Sequence, residues 1–165
     1  RSAHAEILAS RTLYWPDEAA CATSAAALGA RGAVRNACIE LEGPLGAGKT
    51  TFVRHLLRAL GVGGRIKSPS YAVVEMHTIP ARDTQAATNA AHFDFYRFAD
   101  AREWEDAGLR DLYAAPGIKL AEWPEKARAL LRPHIARLRH KLESTGLGGI
   151  ALVSIRSMGY MLQTE

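Results

Sequence analysis

Gly43-Pro44-Leu45-Gly46-Ala47-Gly48-Lys49-Thr50, followed by Thr51, is the stretch of this chain whose spacing speaks most directly of chemistry. The pattern is G-x-x-x-x-G-K-[ST]. The run Ala37–Glu42 leads into it with strand character, and Thr51–Leu60 leaves it with helical spacing. Strand, glycine loop and helix in that order are the context a phosphate-binding P-loop requires. Glycines let the backbone curl so that successive N–H groups face phosphate oxygens, and the helix start adds partial positive charge. Gly43, Leu45, Gly46, Ala47, Gly48, Lys49, Thr50 and Thr51 are the expected cradle. Lys49 would reach the β- and γ-phosphates of ATP or ADP, and the Thr50 hydroxyl would hold Mg2+. A plain glycine turn with a chance lysine is the competing reading, and the flanking strand and helix favour the nucleotide.

Nucleotide chemistry also needs a carboxylate for the metal shell and a group that positions the attacking water. Asp94 lies between apolar neighbours in a predicted strand, as a Walker B acid does, and is the metal-side candidate; an ordinary edge-strand aspartate is the alternative. Glu122 ends another predicted strand beside Trp123-Pro124, where a carboxylate can face a site or simply be solvated. Ser68 and Ser70 flank Pro69 in a loop that could contact a γ-phosphate, or could be only the turn such residues favour. His55 and His92 read as surface or packing residues, and no His/Cys/Asp set has zinc spacing. Trp15 and Trp104 read as core, whereas Trp123 could wall a pocket.

The bulk properties agree with one globular unit. The chain has 165 residues, which suits a single domain over 1–165. A net charge of +4 and a pI near 9.3 fit a phosphate-bearing partner, although coding bias toward arginine would give the same numbers. There is no arginine-rich block and no aromatic pattern of an RNA-binding module. No apolar run reaches membrane-span length and the first residues lack a signal core, so the expectation is a cytoplasmic protein with no membrane partner. Cys21 and Cys38 read as two buried thiols rather than a disulfide.

The elements that must position these residues follow from pattern. Thr12–Glu18 reads as a short strand and a helix start, and the helix continues to Leu28. After the P-loop helix come a strand over Tyr71–His77, a loop over His77–Asn89 and a strand over Ala91–Arg97, which suggests an antiparallel pair. Asp100–Ala107 and Leu109–Ala114 read as helices, and Gly117–Glu122 as a strand. Pro124 starts a helix through Leu131, and Ile135–Leu142 with Ile150–Ile155 suggests a terminal hairpin. The fold class is α/β: a P-loop NTPase-like mixed sheet with helices on both faces, parallel near the loop and antiparallel at the edges.

The motifs line up in a recognisable order: the loop with Leu41-Glu42 before it, then Lys67-Ser68-Pro69-Ser70-Tyr71, His92-Phe93-Asp94-Phe95-Tyr96-Arg97 and Glu122-Trp123-Pro124. This resembles the TsaE (YjeE) family, small bacterial ATPases of tRNA threonylcarbamoyladenosine biosynthesis, from about Pro16 to Ala127. The resemblance implies ATP or ADP with Mg2+, slow hydrolysis alone, and assembly with TsaB and TsaD. In that assembly TsaD modifies adenosine 37 of tRNAs, so that tRNA is met indirectly, and ATP hydrolysis resets the complex. It implies that Lys49 and Thr50 contact phosphate and metal, that Ser68 to Ser70 form a switch-like loop, that Asp94 is the Walker B-like acid and that Glu122 serves hydrolysis. Two positions depart from the family's habit: Pro44 replaces a common Asp, and Ser70 replaces a usual Thr while keeping the hydroxyl. Two other classes stay open. A small-molecule P-loop kinase would need an acceptor pocket and lid arginines, for which Arg97 and Arg102 are available; a nucleotide-gated binding module would need no turnover.

Overall fold

A computed structural model describes residues 12–69, 72–106, 108–127 and 150–154. The first helix, α1 (Glu18–Gly29), starts at Asp17, whose Oδ1 accepts the Ala20 N–H at 2.8 Å. That side chain satisfies one of the donors every helix start leaves open. Strand β1 (Cys38–Glu42) feeds the glycine loop and α2 (Lys49–Ala59). On α2, Phe52, Val53, Leu56, Leu57 and Leu60 recur at helical spacing and are all buried, while Arg58 stays outside. Then follow β2 (Val74–Ile79), β3 (Thr88–Asp94), α3 (Ala101–Asp106), α4 (Leu109–Ala114), β4 (Ile118–Glu122), a 3₁₀ turn (Pro124–Lys126) and β5 (Ile150–Ser154).

The strands form one sheet in the order β2-β3-β4-β1-β5. β3, β4, β1 and β5 are parallel, and β2 is antiparallel to β3. The carboxyl ends of the four parallel strands therefore emerge on one edge, where open α/β sheets bind ligands. Alternate residues point to opposite faces. Ile39, Leu41, Leu120 and Ala90 join one core with the α2 residues, and Ala91, Phe93, Ala121 and Cys38 join a second with Trp104, Leu109 and Tyr113. The protein is thus an α/β fold with a mixed sheet covered on both faces, as its sequence predicts.

Three expectations change. The far edge is not antiparallel: β5 pairs with β1 in parallel, Cys38 to Glu42 against Ile150 to Ser154. A short apolar run after a glycine turn has the same pattern whichever way it is laid, so the sequence carries no sign of direction. Ile135–Leu142, the other half of the expected hairpin, lies outside the described residues, as does the end of the helix expected through Leu131. The loop expected over 77–89 shrinks to 80–87, because His77, Thr78 and Ile79 pair with Ala90, Asn89 and Thr88. Its base is tied down by Arg35, whose Nη2 donates to the carbonyls of Pro80 (2.9 Å) and Ala86 (2.8 Å). Finally, residues 12–15 form no strand; Trp15 instead stacks on Phe52 with ring centroids 5.6 Å apart.

Both cysteines are buried and free. Cys38 Sγ lies 2.9 Å from Tyr113 Oη, and burial pushes its thiol up to about 11, so it packs rather than reacts.

β4 begins at a position that only glycine fits. Gly117 has φ +111°, and a Cβ there would sit 2.2 Å from the Asn89 carbonyl oxygen. Gly117→Ala should lower the unfolding free energy by about 2–4 kcal/mol, since positive φ and a backbone clash add. Urea unfolding measures it; a change under about 0.5 kcal/mol would disprove this account of the β3–β4 junction.

Candidate functional site

The loop after β1 owes its shape to left-handed backbone: Gly46 has φ +78° and Gly48 φ +104°. A Cβ on Gly46 would meet nothing within 4 Å, so that side of the loop is open. Gly48 is the residue before α2 and offers no side-chain cap, which leaves the first helical N–H groups to an incoming anion. Leu45 and Pro44 are exposed, while Ala47 and Thr51 are buried.

Lys49 is folded back over its own loop. Its Nζ donates to the carbonyls of Gly43 and Pro44, the latter at 2.9 Å, and sits 4.0 Å from the centroid of the Trp123 ring. Burial lowers its pKa, and Glu122, Glu125 and Asp94 oppose that shift. Trp123 adopts φ +54°, ψ +48°, an uncommon conformation for a bulky residue. This turn sets the indole against Lys49 and against Tyr96, whose ring centroid is 5.0 Å away. Trp123 therefore walls the site, as one sequence reading allows.

The two candidate acids meet at the sheet edge. Asp94 and Glu122 are register partners at the ends of β3 and β4. Glu122 is 2% exposed. The Thr50 hydroxyl donates to its Oε2 at 3.1 Å, across 72 residues of chain. Its Oε1 lies 3.2 Å from His92 Nε2. Asp94 accepts the Tyr96 N–H at 3.0 Å. Its pKa is raised, first by burial and further by Glu122; the Tyr96 N–H, His92 and Lys49 pull the other way.

Lys49, Thr50, Asp94 and Glu122 thus come together with Gly43, Gly46 and Gly48 of the loop. Ser70 lies outside the described residues; Ser68 is half-buried beyond α2. His55 is the partly exposed residue expected, 2.8 Å from Glu18. His92 is a functional candidate that the sequence reading passed over as packing. It is fully buried on the acid itself. Strand alternation is the signal that finds it, because residues 92 and 94 share one face of β3.

Among the described residues no group of three or more His, Cys, Asp or Glu could cage a metal. Two carboxyl groups and a hydroxyl beside an open phosphate loop suit magnesium, which keeps waters and takes the rest of its shell from phosphate. The set therefore fits a magnesium–nucleotide, with Pro44 supplying no third acid.

Residues 15–147 match the family model described as threonylcarbamoyl adenosine biosynthesis protein TsaE. The chain is 43% identical over 93 residues to the tRNA threonylcarbamoyladenosine biosynthesis protein TsaE of Haemophilus influenzae, covering 56% of this chain and 55% of that one. With the protein of the same name from Bacillus subtilis it shares 34% over 85 residues, covering 52% and 49%. The chain spans about half the length of these curated relatives. The crystal structure of Bacillus subtilus YdiB overlaps with a TM-score of 0.40 at 23% identity, over 66% of this chain and 63% of that one. No helix among the described residues is long and apolar enough to cross a membrane.

The raised Asp94 pKa makes a signed prediction. A folded-state pKa above the unfolded value of 3.8 means that the native state holds the proton longer. Stability then falls as pH rises from the unfolded pKa through the folded one, and stays reduced above it. Asp94→Asn should raise the thermal midpoint of the nucleotide-free protein at pH 7, with the gain shrinking toward pH 3. A lower midpoint at pH 7 would show that Asp94 is well paired as a carboxylate.

Proposed function

The chain belongs to the TsaE family, and from that premise we propose that it is a Mg-dependent ATPase of tRNA threonylcarbamoyladenosine biosynthesis. The observation that carries the proposal is the meeting of Lys49 and Thr50 with Glu122 and Asp94 at one sheet edge. Two relatives named as tRNA threonylcarbamoyladenosine biosynthesis proteins lend the pathway. In this reading the protein works in the cytoplasm with TsaB and TsaD, meets tRNA through them, and serves formation of N6-threonylcarbamoyladenosine at position 37.

Each residue then has a task. The loop from Gly43 to Thr51 cradles the phosphates with backbone N–H groups. Lys49 leaves the Gly43 and Pro44 carbonyls for the β- and γ-phosphates, a stronger pairing for an ammonium than neutral carbonyls. Thr50, whose hydroxyl meets Glu122 in the free protein, would with Asp94 and Glu122 be the residues that hold a magnesium ion and its waters. A magnesium ion held there would supply positive charge to offset the phosphates. Glu122 also orients the attacking water, and Ser70 contacts the γ-phosphate. Loss of that phosphate relaxes the Ser68–Ser70 loop and with it the hold on TsaB–TsaD. Trp123 keeps water from the Lys49 side.

The test is phosphate release from ATP with and without the TsaB–TsaD pair. Slow release alone should rise at least about tenfold with the pair, and Lys49→Ala should remove it. Glu122→Gln should cost about 100-fold in rate while nucleotide affinity changes less than about threefold, the pattern of an interaction made in the transition state. Tight nucleotide binding with no stimulated release would instead identify a nucleotide-gated binding module.

A further inference from the structure

Glu122 is held at both oxygens, and only one holder belongs to the phosphate loop. Thr50 Oγ1 takes Oε2 at 3.1 Å, and His92 Nε2 lies 3.2 Å from Oε1. A carboxylate only accepts hydrogen bonds, so the imidazole nitrogen facing it must carry hydrogen. That fixes the ring with its proton on Nε2. The opposite nitrogen, Nδ1, is buried without a hydrogen-bond partner. On this sheet face His92 lies between Leu120 of β4 and Glu75 of β2, with Ala90 before it and Asp94 after it, and Nδ1 bonds to none of them. An apolar side chain at 92 would pack there with no unpartnered nitrogen left behind. Packing therefore does not account for histidine; the contact with Glu122 does.

We propose that His92 is the positioning residue for Glu122: it keeps the carboxylate in place when Thr50 turns to magnesium. The inference rests on the roles given above to Thr50 and Glu122. In the free protein the two hydrogen bonds fix the plane of the carboxyl group. With the Thr50 hydroxyl engaged elsewhere, Oε2 is released, and the terminal torsion of a glutamate is broad. The His92 bond to Oε1 then remains as the restraint, from a rigid strand whose register with β4 is set by the sheet. Oε2 is thereby left free to receive water at a fixed place, the kind of orientation that speeds a bound reaction.

Two measurements on the full chain decide it. Nitrogen NMR of the labelled imidazole should show His92 with Nε2 protonated, both alone and with Mg–ADP; an unprotonated Nε2 in either state overturns the proposal. In stimulated ATP hydrolysis, His92→Leu should lower kcat by about tenfold to a hundredfold with KM and ADP affinity changed less than about threefold. His92→Gln, which keeps a donor at similar reach, should recover most of the rate, and equal losses in the two variants refute positioning. In a Glu122→Gln background His92→Leu should add less than about twofold, since the two act as one unit; an undiminished loss there means His92 does not act through Glu122. Glu122→Gln hydrolysing like the parent protein would remove the earlier role of Glu122, and the imidazole spectrum would still decide whether His92 holds that carboxyl group.

Discussion

A carboxyl group almost withdrawn from water must have its oxygens met, and Glu122 is where this molecule meets that demand. The two partners come from two elements, His92 from β3 and Thr50 from the first turn of α2, while β4 carries the acid. Neither partner could reach it unless β4 lay between β3 and β1, with α2 leaving β1 at the same edge. The sheet order and the site are thus one constraint. β4 is buried along its whole length, and Gly117 lets it start against the Asn89 carbonyl. A shift of register by one residue would turn Glu122 to the opposite face, where Ala121 packs with Phe93 and Tyr113.

The turn after Glu122 does a second task. Trp123 takes a left-handed conformation that costs about 1–2 kcal/mol for a residue with a Cβ. The strain sets its indole over the Lys49 ammonium, and the Gly43 and Pro44 carbonyls complete the cage. Each of these contacts is with a neutral group, so a phosphate can displace them all. The strain is local: Pro124, which opens the 3₁₀ turn, and Ala127, just after it, are both buried.

Glu122 stood open between a site acid and a solvated strand end until the family resemblance singled it out; spacing made the phosphate loop and Asp94 legible, because each rule concerned near neighbours along the chain: glycines around a lysine, an acid between apolar neighbours. The paired-strand character of β2 and β3 was legible for the same reason. Three things were not. The direction of β5 depends on how the chain returns to β1, which no five-residue pattern records. The extra pairing of His77, Thr78 and Ile79 falls on an edge strand in which Ile79 alone is buried, so the apolar signal is weak. The role of His92 required knowing that Glu122, thirty residues later, would lie on the next strand and the same face. Local signals carry local structure; contacts between distant residues emerge only with the sheet order.

The charge at the site runs against the charge of the whole protein. The chain carries +4, yet its sheet edge sets Asp94, Glu122 and Glu125 around Lys49. A bare nucleotide would bring several negative charges to two buried or half-buried carboxyl groups, with Lys49 and the backbone dipoles opposing the repulsion. A nucleotide arriving with its cation would reverse the balance, because the added positive charge would offset the acids and the phosphates together. On the proposed reading the acids therefore select the metal complex over the free nucleotide. Pro44 belongs in that argument. It stands in the loop where the resembling family commonly has an acid, so this chain meets the phosphates with one negative group fewer. A bound cation would therefore meet one carboxyl group fewer at the loop, leaving Asp94 and Glu122 as the acids beside it.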